Sequence, residues 1–555
     1  MNFLKKIKKT NLWVVLTPLH HDFSACIIFS FFNNLLMLAP TIYMLQIFDR
    51  ILISQNKLTL IAITSIIFYL FFLIACSEWL RSRLLVRING KMNSLINNKL
   101  FDCAFNQQLM GNEKNPTQVF KDFEKFKQWI TGGSLFPYLD APWIPIYFIV
   151  IFLLHPVFGL VSIVFVLILV ILSIKFNAIS TTNNKKLNAE EMELASSLST
   201  KLKNADMVEI FGILPNIRNI WLEKQSENLI LFDQTQDTNQ RIQCYTKFTT
   251  TLQQSLTLAV GAILVINGDL TMGAMIAANL LMGRITQPIQ RIIAGYPNLL
   301  ETIESTKRLE NTLSTAPHPI NQLSDSKFLQ GKVEIKDLCA LTQDNKKIIK
   351  NLNLTIEKNE TIIITGRSSS GKSTLAEAIL GVWPSITGEI LIDSIPIQHI
   401  DFENIGSQIG YLPQDIELFN GTVAQNIARF SSENSELIVE ASKRCGIHHM
   451  ILNLPNGYDT KLGIGGANIS GGQQQQIALA RAIYNSPKLI ILDEPNSNLD
   501  NLGEIQLNNT ISTLKELGST IIMISHKKNI LDLADRLIHL SNGQITNIPT
   551  PQIKN

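Results

Sequence analysis

Glu360-Thr-Ile-Ile-Ile-Thr-Gly-Arg-Ser-Ser-Ser-Gly-Lys-Ser-Thr374 decides how this chain folds. Ile362–Ile364 is apolar and β-branched throughout, the pattern of a strand buried on both faces. The run stops at Gly366, and Gly371-Lys372-Ser373-Thr374 completes the spacing G-x-x-x-x-G-K-[ST]. A phosphate group explains each place. Amides of Gly366, Arg367, Ser368, Ser369 and Ser370, with the N-terminus of the helix predicted over Thr374–Leu380, surround phosphate oxygens. Lys372 supplies a point charge between the β- and γ-phosphates, and the Ser373 hydroxyl ligates Mg²⁺. A chance match is the bland alternative, and a strand before with a helix after weighs against it.

Downstream, Leu489-Ile-Ile-Leu492 predicts a central strand ending in Asp493-Glu494-Pro495. Acidic residues at a strand end are common, but beside a phosphate loop they have definite uses. Asp493 would hold the Mg²⁺ shell and Glu494 would polarise the attacking water. A third strand, Thr520–Ile524, ends at Ser525-His526. His526 is either an interior hydrogen-bonding residue or a contact to the γ-phosphate or the water. Gln414, after Gly410-Tyr-Leu-Pro413, would connect Mg²⁺ to a mobile segment. Ile469-Ser470-Gly471-Gly472-Gln473 precedes a helical run, Gln474–Tyr484. Ser470 would cap that helix, and two glycines admit a phosphate closely. A second anion site on one domain is hard to use in cis, and it makes sense where two copies face each other.

Upstream the chain changes character. Of 555 residues 46% are hydrophobic and 17% charged, with mean hydropathy +0.16, which points to membrane segments. A net charge of +3 is too small to argue for nucleic acid. Six cysteines lie scattered without a C-x-x-C pair, and small buried residues are the expectation. Lys5, Lys6, Lys8 and Lys9 precede the first apolar run too distantly for a signal peptide. Six spans are predicted, about Phe23–Ile47, Leu58–Trp79, Trp143–Leu154, Val157–Ile174, Leu252–Ile266 and Met272–Ile293. The third carries Pro142 and Pro145 at its start, and the sixth carries Asn279, Arg284 and Gln287, so both are expected to face protein or a cavity. The N-terminal lysines and Arg81, Arg83, Arg87 and Lys91 place those ends in the cytoplasm. Residues 81–138 and 175–249 then form long cytoplasmic connections, expected to be helical. Glu78 and Lys175 are expected to snorkel to the interface, with a substrate contact the lesser reading, and Asp140 to cap the start of the third span rather than to act as a cavity charge. A polar link at Thr315–Ile320 divides residues 1–325, a transmembrane domain, from 326–548, a nucleotide-binding domain.

Taken together, these residues resemble the ATP-binding cassette superfamily. Ile469–Gln473 is similar to its signature motif, Asn498-Leu499-Asp500 to its D-loop, Gln414 to its Q-loop and His526 to its switch histidine. The resemblance is closer to the type I secretion permease/ATPases that export proteases. It is carried by Asn34–Pro40, Tyr43–Arg50, Arg81–Arg87 and Gly273–Ala277, and by Gly381–Pro384, Tyr411–Phe419 and Asp493–Asp500. It implies a membrane all-α six-helix exporter domain followed by an α/β P-loop nucleotide-binding domain with a helical subdomain. It further implies ATP and Mg²⁺ as cofactors, with Ser470, Gly471, Gly472, Gln473 and Asp500 at the ATP. A homodimer in the bacterial inner membrane, its N-terminus and nucleotide domain cytoplasmic, would work with a periplasmic adaptor and an outer-membrane channel. Its cargo would be an unfolded protein with an uncleaved C-terminal signal. Ala205–Phe211 resembles a coupling segment.

Three departures stand out. Ser369 replaces a usual glycine, Gln474 and Gln476 replace usual arginines, and Leu338–Asn345 offers no ring to stack on adenine. With about 20 residues before the first span, no N-terminal peptidase domain is expected. The alternatives are an exporter of lipid or short peptide with the same engine, told apart by whether a neighbouring gene encodes an adaptor, and a degenerate ATP-binding scaffold, excluded by hydrolysis that Glu494→Gln abolishes.

Overall fold

A computed structural model describes residues 17–109, 117–314, 329–342 and 344–546. Lys5, Lys6, Lys8 and Lys9, the link at Thr315–Ile320, and Gln343 lie outside them. The chain divides into two compact units, the first ending at Ala316 and the second beginning at Pro317.

The first unit is helical. Its main elements are α1 (His20–Leu36), α2 (Ala39–Gln46), α3 (Lys57–Leu109), α4 (Gln118–Thr131), α5 (Phe136–Asp140), α6 (Ile144–Leu154), α7 (Pro156–Lys203), α8 (Ala205–Ile210), α9 (Leu214–Ile266) and α10 (Met272–Ser314). The long cytoplasmic connections expected at 81–138 and 175–249 are largely helical among the described residues, as continuations of α3, α7 and α9 with α4 between. Five helical stretches are long and apolar enough to cross a membrane: Thr17–Ser54, Lys57–Leu109, Phe136–Leu154, Pro156–Leu202 and Leu214–Ile266. The expected sixth span falls in α10, where Asn279, Arg284 and Gln287 lower the apolarity. The burial pattern is inverted relative to a soluble domain. Phe68, Leu153 and Ile174 are exposed, while Ser30, Asn33, Asn34, Thr41, Ser77 and Arg81 are buried. Lipid solvates the first group and the protein interior satisfies the second.

The second unit carries β1 (Val333–Leu341), β2 (Lys347–Ile356), β3 (Thr361–Thr365), β4 (Ile386–Ile392), β5 (Ile395–Pro396), β6 (Ile409–Leu412), β7 (Gly421–Thr422), β8 (Lys461–Leu462), β9 (Leu489–Asp493), β10 (Thr520–Ile524), β11 (Arg536–Ser541) and β12 (Gln544–Thr546). They form a six-stranded sheet in the order β12-β11-β3-β10-β9-β6, a four-stranded antiparallel sheet β2-β1-β4-β5, and a small β7-β8 ladder. In the large sheet β11, β3, β10, β9 and β6 run parallel. The two-residue period explains why its central strands are apolar at every position. Ile362, Ile364, Leu489, Ile491, Ile522 and Ile524 pack into one core with the antiparallel sheet and α11 (Lys372–Ile379). Ile363, Ile490, Leu492, Ile521 and Met523 pack into the other, with α12 (Ser435–Arg444), α13 (Gly471–Ile483) and α14 (Asn501–Glu516).

Of the six cysteines, all free, Cys26, Cys103, Cys339 and Cys445 are buried as expected; Cys76 is half-buried, and Cys244 on α9 is exposed. Asp140 corrects its expectation. Its side chain caps no backbone amide. It pairs instead with Arg81 at 2.9 Å.

Candidate active site

Parallel register places the site at one edge of the large sheet. Ile524 stands opposite Ile364 on one side and Asp493 on the other, and Leu492 stands opposite Leu412. Gly366, His526, Glu494 and Gln414 each follow their strand by one or two residues, so adjacent strands deliver all four to the same carboxyl edge.

The phosphate loop joins β3 to α11. Gly366 has φ +151°, and a Cβ there would collide with the Leu540 carbonyl oxygen. Only glycine fits. Ser369 takes φ +64° and Gly371 φ +99°, so the loop keeps left-handed backbone at a position occupied by serine. Lys372 is buried, and its Nζ donates to the carbonyls of Gly366 (2.9 Å) and Arg367 (3.0 Å). These bonds hold the ammonium at the loop's mouth, where phosphate oxygens compete for the same donors.

Asp493 is only 2% exposed and its Oδ1 has no hydrogen-bond partner among the described residues. Burial pushes its carboxyl above the ordinary carboxylate range. The Ser373 hydroxyl opposes that by hydrogen bonding, Glu494 adds to it, and Lys372 opposes it. Behind it, Glu377 is also raised, by burial and then by Asp493, and Tyr411 is pushed up to about 12 by burial, Glu377 and Asp493. A buried, underpartnered carboxylate among like charges calls for a cation. Ser373 Oγ lies 3.5 Å from Gln414 Oε1, so hydroxyl, amide and carboxylate oxygens gather there. This hard-oxygen set fits Mg²⁺ completed by nucleotide phosphates.

Glu494 sits at φ +47°, with its N–H donating to Ile524 (3.0 Å) and its carbonyl accepting from Ser497 N (3.2 Å). This bend ends β9 and turns the chain toward Asn498-Leu499-Asp500. His526 is exposed. Its neighbours are anchored: Ser525 Oγ donates to Asn496 Oδ1 at 3.3 Å, and Lys527 pairs with Glu504 on α14.

Ser470 caps α13 in a reciprocal capping box: Gln473 N donates to Ser470 Oγ (3.3 Å) and Ser470 N to Gln473 Oε1 (3.0 Å). Among the described residues no hydrogen bond or ion pair joins Ser470–Gln473 to Gly366–Thr374 of the same chain. Asp500 caps α14 through Gly503 N at 2.8 Å. Gln474, one of the departures, folds back to donate to Gly466 O (2.9 Å), and Gln476 donates to Gln506 (3.3 Å).

Sequence reasoning passed over Gln475. It is 1% exposed, donates to the Glu494 carbonyl (3.3 Å) and accepts from Asn498 N (2.8 Å), tying the signature helix to both ends of the turn after Glu494. The available signal was its face: Gln475 shares helical spacing with the buried Ala478, Leu479 and Ala482.

Comparison with known proteins agrees. Residues 349–497 match the ABC transporter family and residues 23–289 the ABC transporter transmembrane region. The chain is 33% identical over 518 residues to the type I secretion system ATP-binding protein PrsD of Rhizobium meliloti (strain 1021), covering 92% of this chain and 88% of that protein. It is 27% identical to the leukotoxin translocation ATP-binding protein LktB of Mannheimia glucosida, over 94% of this chain and 75% of the relative. The toxin RTX-I translocation ATP-binding protein of Actinobacillus pleuropneumoniae is 28% identical over the same shares. A bacterial Atm1-family ABC exporter with ATP bound has the same fold, with TM-score 0.82, 20% identity and 95% of each chain covered. The apolar helices and the ATP-binding domain make this a multi-pass inner-membrane protein whose ATPase faces the cytoplasm. The chain belongs to the ABC transporter family, as an ATP hydrolase coupled to transmembrane transport and homologous to the type I secretion system ATP-binding proteins.

Proposed function

We propose that this chain exports an unfolded protein across the inner membrane as the energised component of a type I secretion system. The observation that carries this is the delivery of Gly366, Gln414, Glu494 and His526 to one sheet edge, in a chain that matches proteins named for secretion and toxin translocation over almost its whole length. Residues 1–325 form the transmembrane domain and 326–548 the nucleotide-binding domain. Met272–Ile293 on α10 supplies a sixth span, its polar residues turned to protein or a cavity.

Amides of Gly366–Gly371 and the first turn of α11, including Thr374, hold the phosphates, and Lys372 exchanges its carbonyl partners for them. Ser373, Gln414 and Asp493 would hold Mg²⁺, which would supply positive charge beside the phosphates. Glu494 orients and polarises the attacking water while His526 contacts the γ-phosphate. In a homodimer each ATP lies between this loop and the Ser470–Gln473 segment of the second copy, with Asp500 beside it. A capped helix N-terminus unused in its own chain suits that task. A periplasmic adaptor and an outer-membrane channel complete the path out of the cell, for a cargo with an uncleaved C-terminal signal.

The test compares proteins released by intact cells, a deletion strain, and a Glu494→Gln strain with matched membrane expression. One protein should vanish from the medium and accumulate inside both mutants. An unchanged set of secreted proteins, with the gene expressed, would favour export of lipid or short peptide.

A further inference from the structure

The first unit holds a charged cavity of about 110 Å³, open to the surface on one side. Arg81 on α3, 5% exposed, donates Nη1 to Asp140 Oδ1 (2.9 Å) and to Ser30 Oγ (3.0 Å). Asn34 Nδ2 donates to the same Asp140 oxygen (3.0 Å), and the Tyr147 hydroxyl donates to the Asn34 carbonyl (2.8 Å). This cluster neutralises itself and builds one wall. The rest includes Glu78 and, from α10, Arg284, Gln287 and Arg291; Arg284 and Gln287 are half-buried, and Glu78 and Arg291 are exposed. The spacing of those three, i, i+3 and i+7, sets them on one helix face.

Two features point to a ligand. Arg284, Arg291 and Glu78 have no hydrogen-bond or ion-pair partner among the described residues, which leaves one surplus positive charge. Two buried groups in the wall, Arg81 Nε and Asn33 Oδ1, are likewise unpartnered. A guanidinium without a partner offers its whole fork, and a carboxylate meets that fork with two parallel charge-assisted bonds.

We propose that this cavity binds carboxylate side chains of the polypeptide in transit, one at a time. The inference rests on the protein-export reading and names the chemistry that the path favours. A small cavity with a single surplus charge holds an acidic residue without demanding a sequence around it. Glu78 keeps the attraction moderate, so that each carboxylate also leaves. Basic pockets near the inner face of a membrane also suit lipid phosphates. Here the buried groups come from several helices packed together, and their partner helix α10 is the long one that lacks a membrane-length apolar stretch. A peptide side chain inside the protein fits this better than a headgroup at its lipid face.

The probe is a short unstructured peptide of Gly, Ser and Asp, with an Asn-for-Asp counterpart. Binding is measured by fluorescence anisotropy to the full-length protein in phosphatidylcholine nanodiscs. The Asp peptide should bind about tenfold more tightly than the Asn peptide. Arg284→Gln/Arg291→Gln should erase that preference, and Arg284→Lys/Arg291→Lys, which keeps the charge and controls for folding, should retain most of it. Equal binding of the two peptides, or an undiminished preference in the Gln variant, would overturn the proposal. Loss of Asp-peptide binding on adding cardiolipin to the nanodisc would overturn it in favour of a lipid site. In cells the two ideas fail differently. A deletion that changes no secreted protein sinks export, whereas a deletion phenotype with normal secretion by the Gln variant sinks the cavity alone.

Discussion

Asp49 reaches from the π-helical turn Ile47–Ile51 to the first turn of α10, where its Oδ1 accepts the Gly273 amide at 2.9 Å. Its Oδ2 accepts the Thr271 hydroxyl at 2.6 Å. The two residues lie in separate stretches, Tyr43–Arg50 and Gly273–Ala277, that carry the family resemblance. A Cβ on Gly273 would stand 2.6 Å from Asp49 Oδ1. Gly273→Ala should therefore destabilise the detergent-solubilised protein by about 1–3 kcal/mol, as overpacking does. Asp49→Asn should cost about 1 kcal/mol. The double variant should lose less than the sum, because both changes remove one contact. Thermal unfolding reads all three, and strict additivity would show that the contact does not join these elements.

Ser369 holds glycine-like backbone at φ +64°. That conformation costs a residue with a side chain roughly 1–2 kcal/mol. Ser369→Gly relieves it but adds freedom to the unfolded chain. The net change should lie between zero and about 1 kcal/mol of stabilisation, with ATP affinity within about threefold of the parent. Ser369→Val should lose more than about 1 kcal/mol. Nucleotide-free unfolding curves decide it. A destabilised Ser369→Gly would mean that the hydroxyl, not the backbone, matters here.

What could be read in advance depended on whether the cause was local. Ile362–Ile364 and Leu489–Leu492 announce buried parallel strands by composition alone, and the residues that end them mark the site edge. Ser470 shows its capping role three residues from its partner Gln473. Asp140 did not. Followed by Ala141-Pro142-Trp143 it resembles a helix start, and the partner that defines it, Arg81, is 59 residues away. Gln475 was hidden among four glutamines, and only helix α13 turns it alone into the core. The sixth span is ambiguous for a physical reason, since a helix lining a polar interior cannot also be apolar enough to stand out.

Gln475 should act by positioning. Gln475→Ala leaves the Asn498 amide without its acceptor and the Glu494 carbonyl without that donor, at about 1–3 kcal/mol of stability. Gln475→Glu keeps an acceptor for Asn498 N, but it sets a carboxylate against the Glu494 carbonyl oxygen and buries a charge at a residue 1% exposed, so it should lose more stability than Gln475→Ala. If the residue merely fills the core, kcat and KM for ATP should follow the stability loss equally in both. If it holds the Glu494 turn, both variants should lower kcat with little change in KM, and the fall in kcat should not track the loss of stability between them. Steady-state hydrolysis beside thermal unfolding separates these outcomes.

Asp493 gives the sharpest test of the metal site, because stability and activity should move in opposite directions. Its folded carboxyl is raised above the ordinary value of 3.8, chiefly by burial. A raised group favours the folded state below its unfolded pKa and loses that contribution as pH rises through the folded one. At neutral pH the ionised, buried Asp493 is therefore a liability in the nucleotide-free protein. Asp493→Asn removes the charge, so the nucleotide-free variant should melt higher, by about 2–4 °C for each kcal/mol relieved. The gain should shrink as pH falls through the raised folded value, where the parent carboxyl takes up its proton, and be gone below the unfolded value of 3.8. Hydrolysis should fall by at least about 100-fold, and added Mg²⁺ should no longer raise the melting temperature in the presence of ATP. A variant that melts lower than its parent at pH 7 without nucleotide would show that the Asp493 charge is already compensated within the protein. Its unpartnered Oδ1 would then be no sign of a cation site.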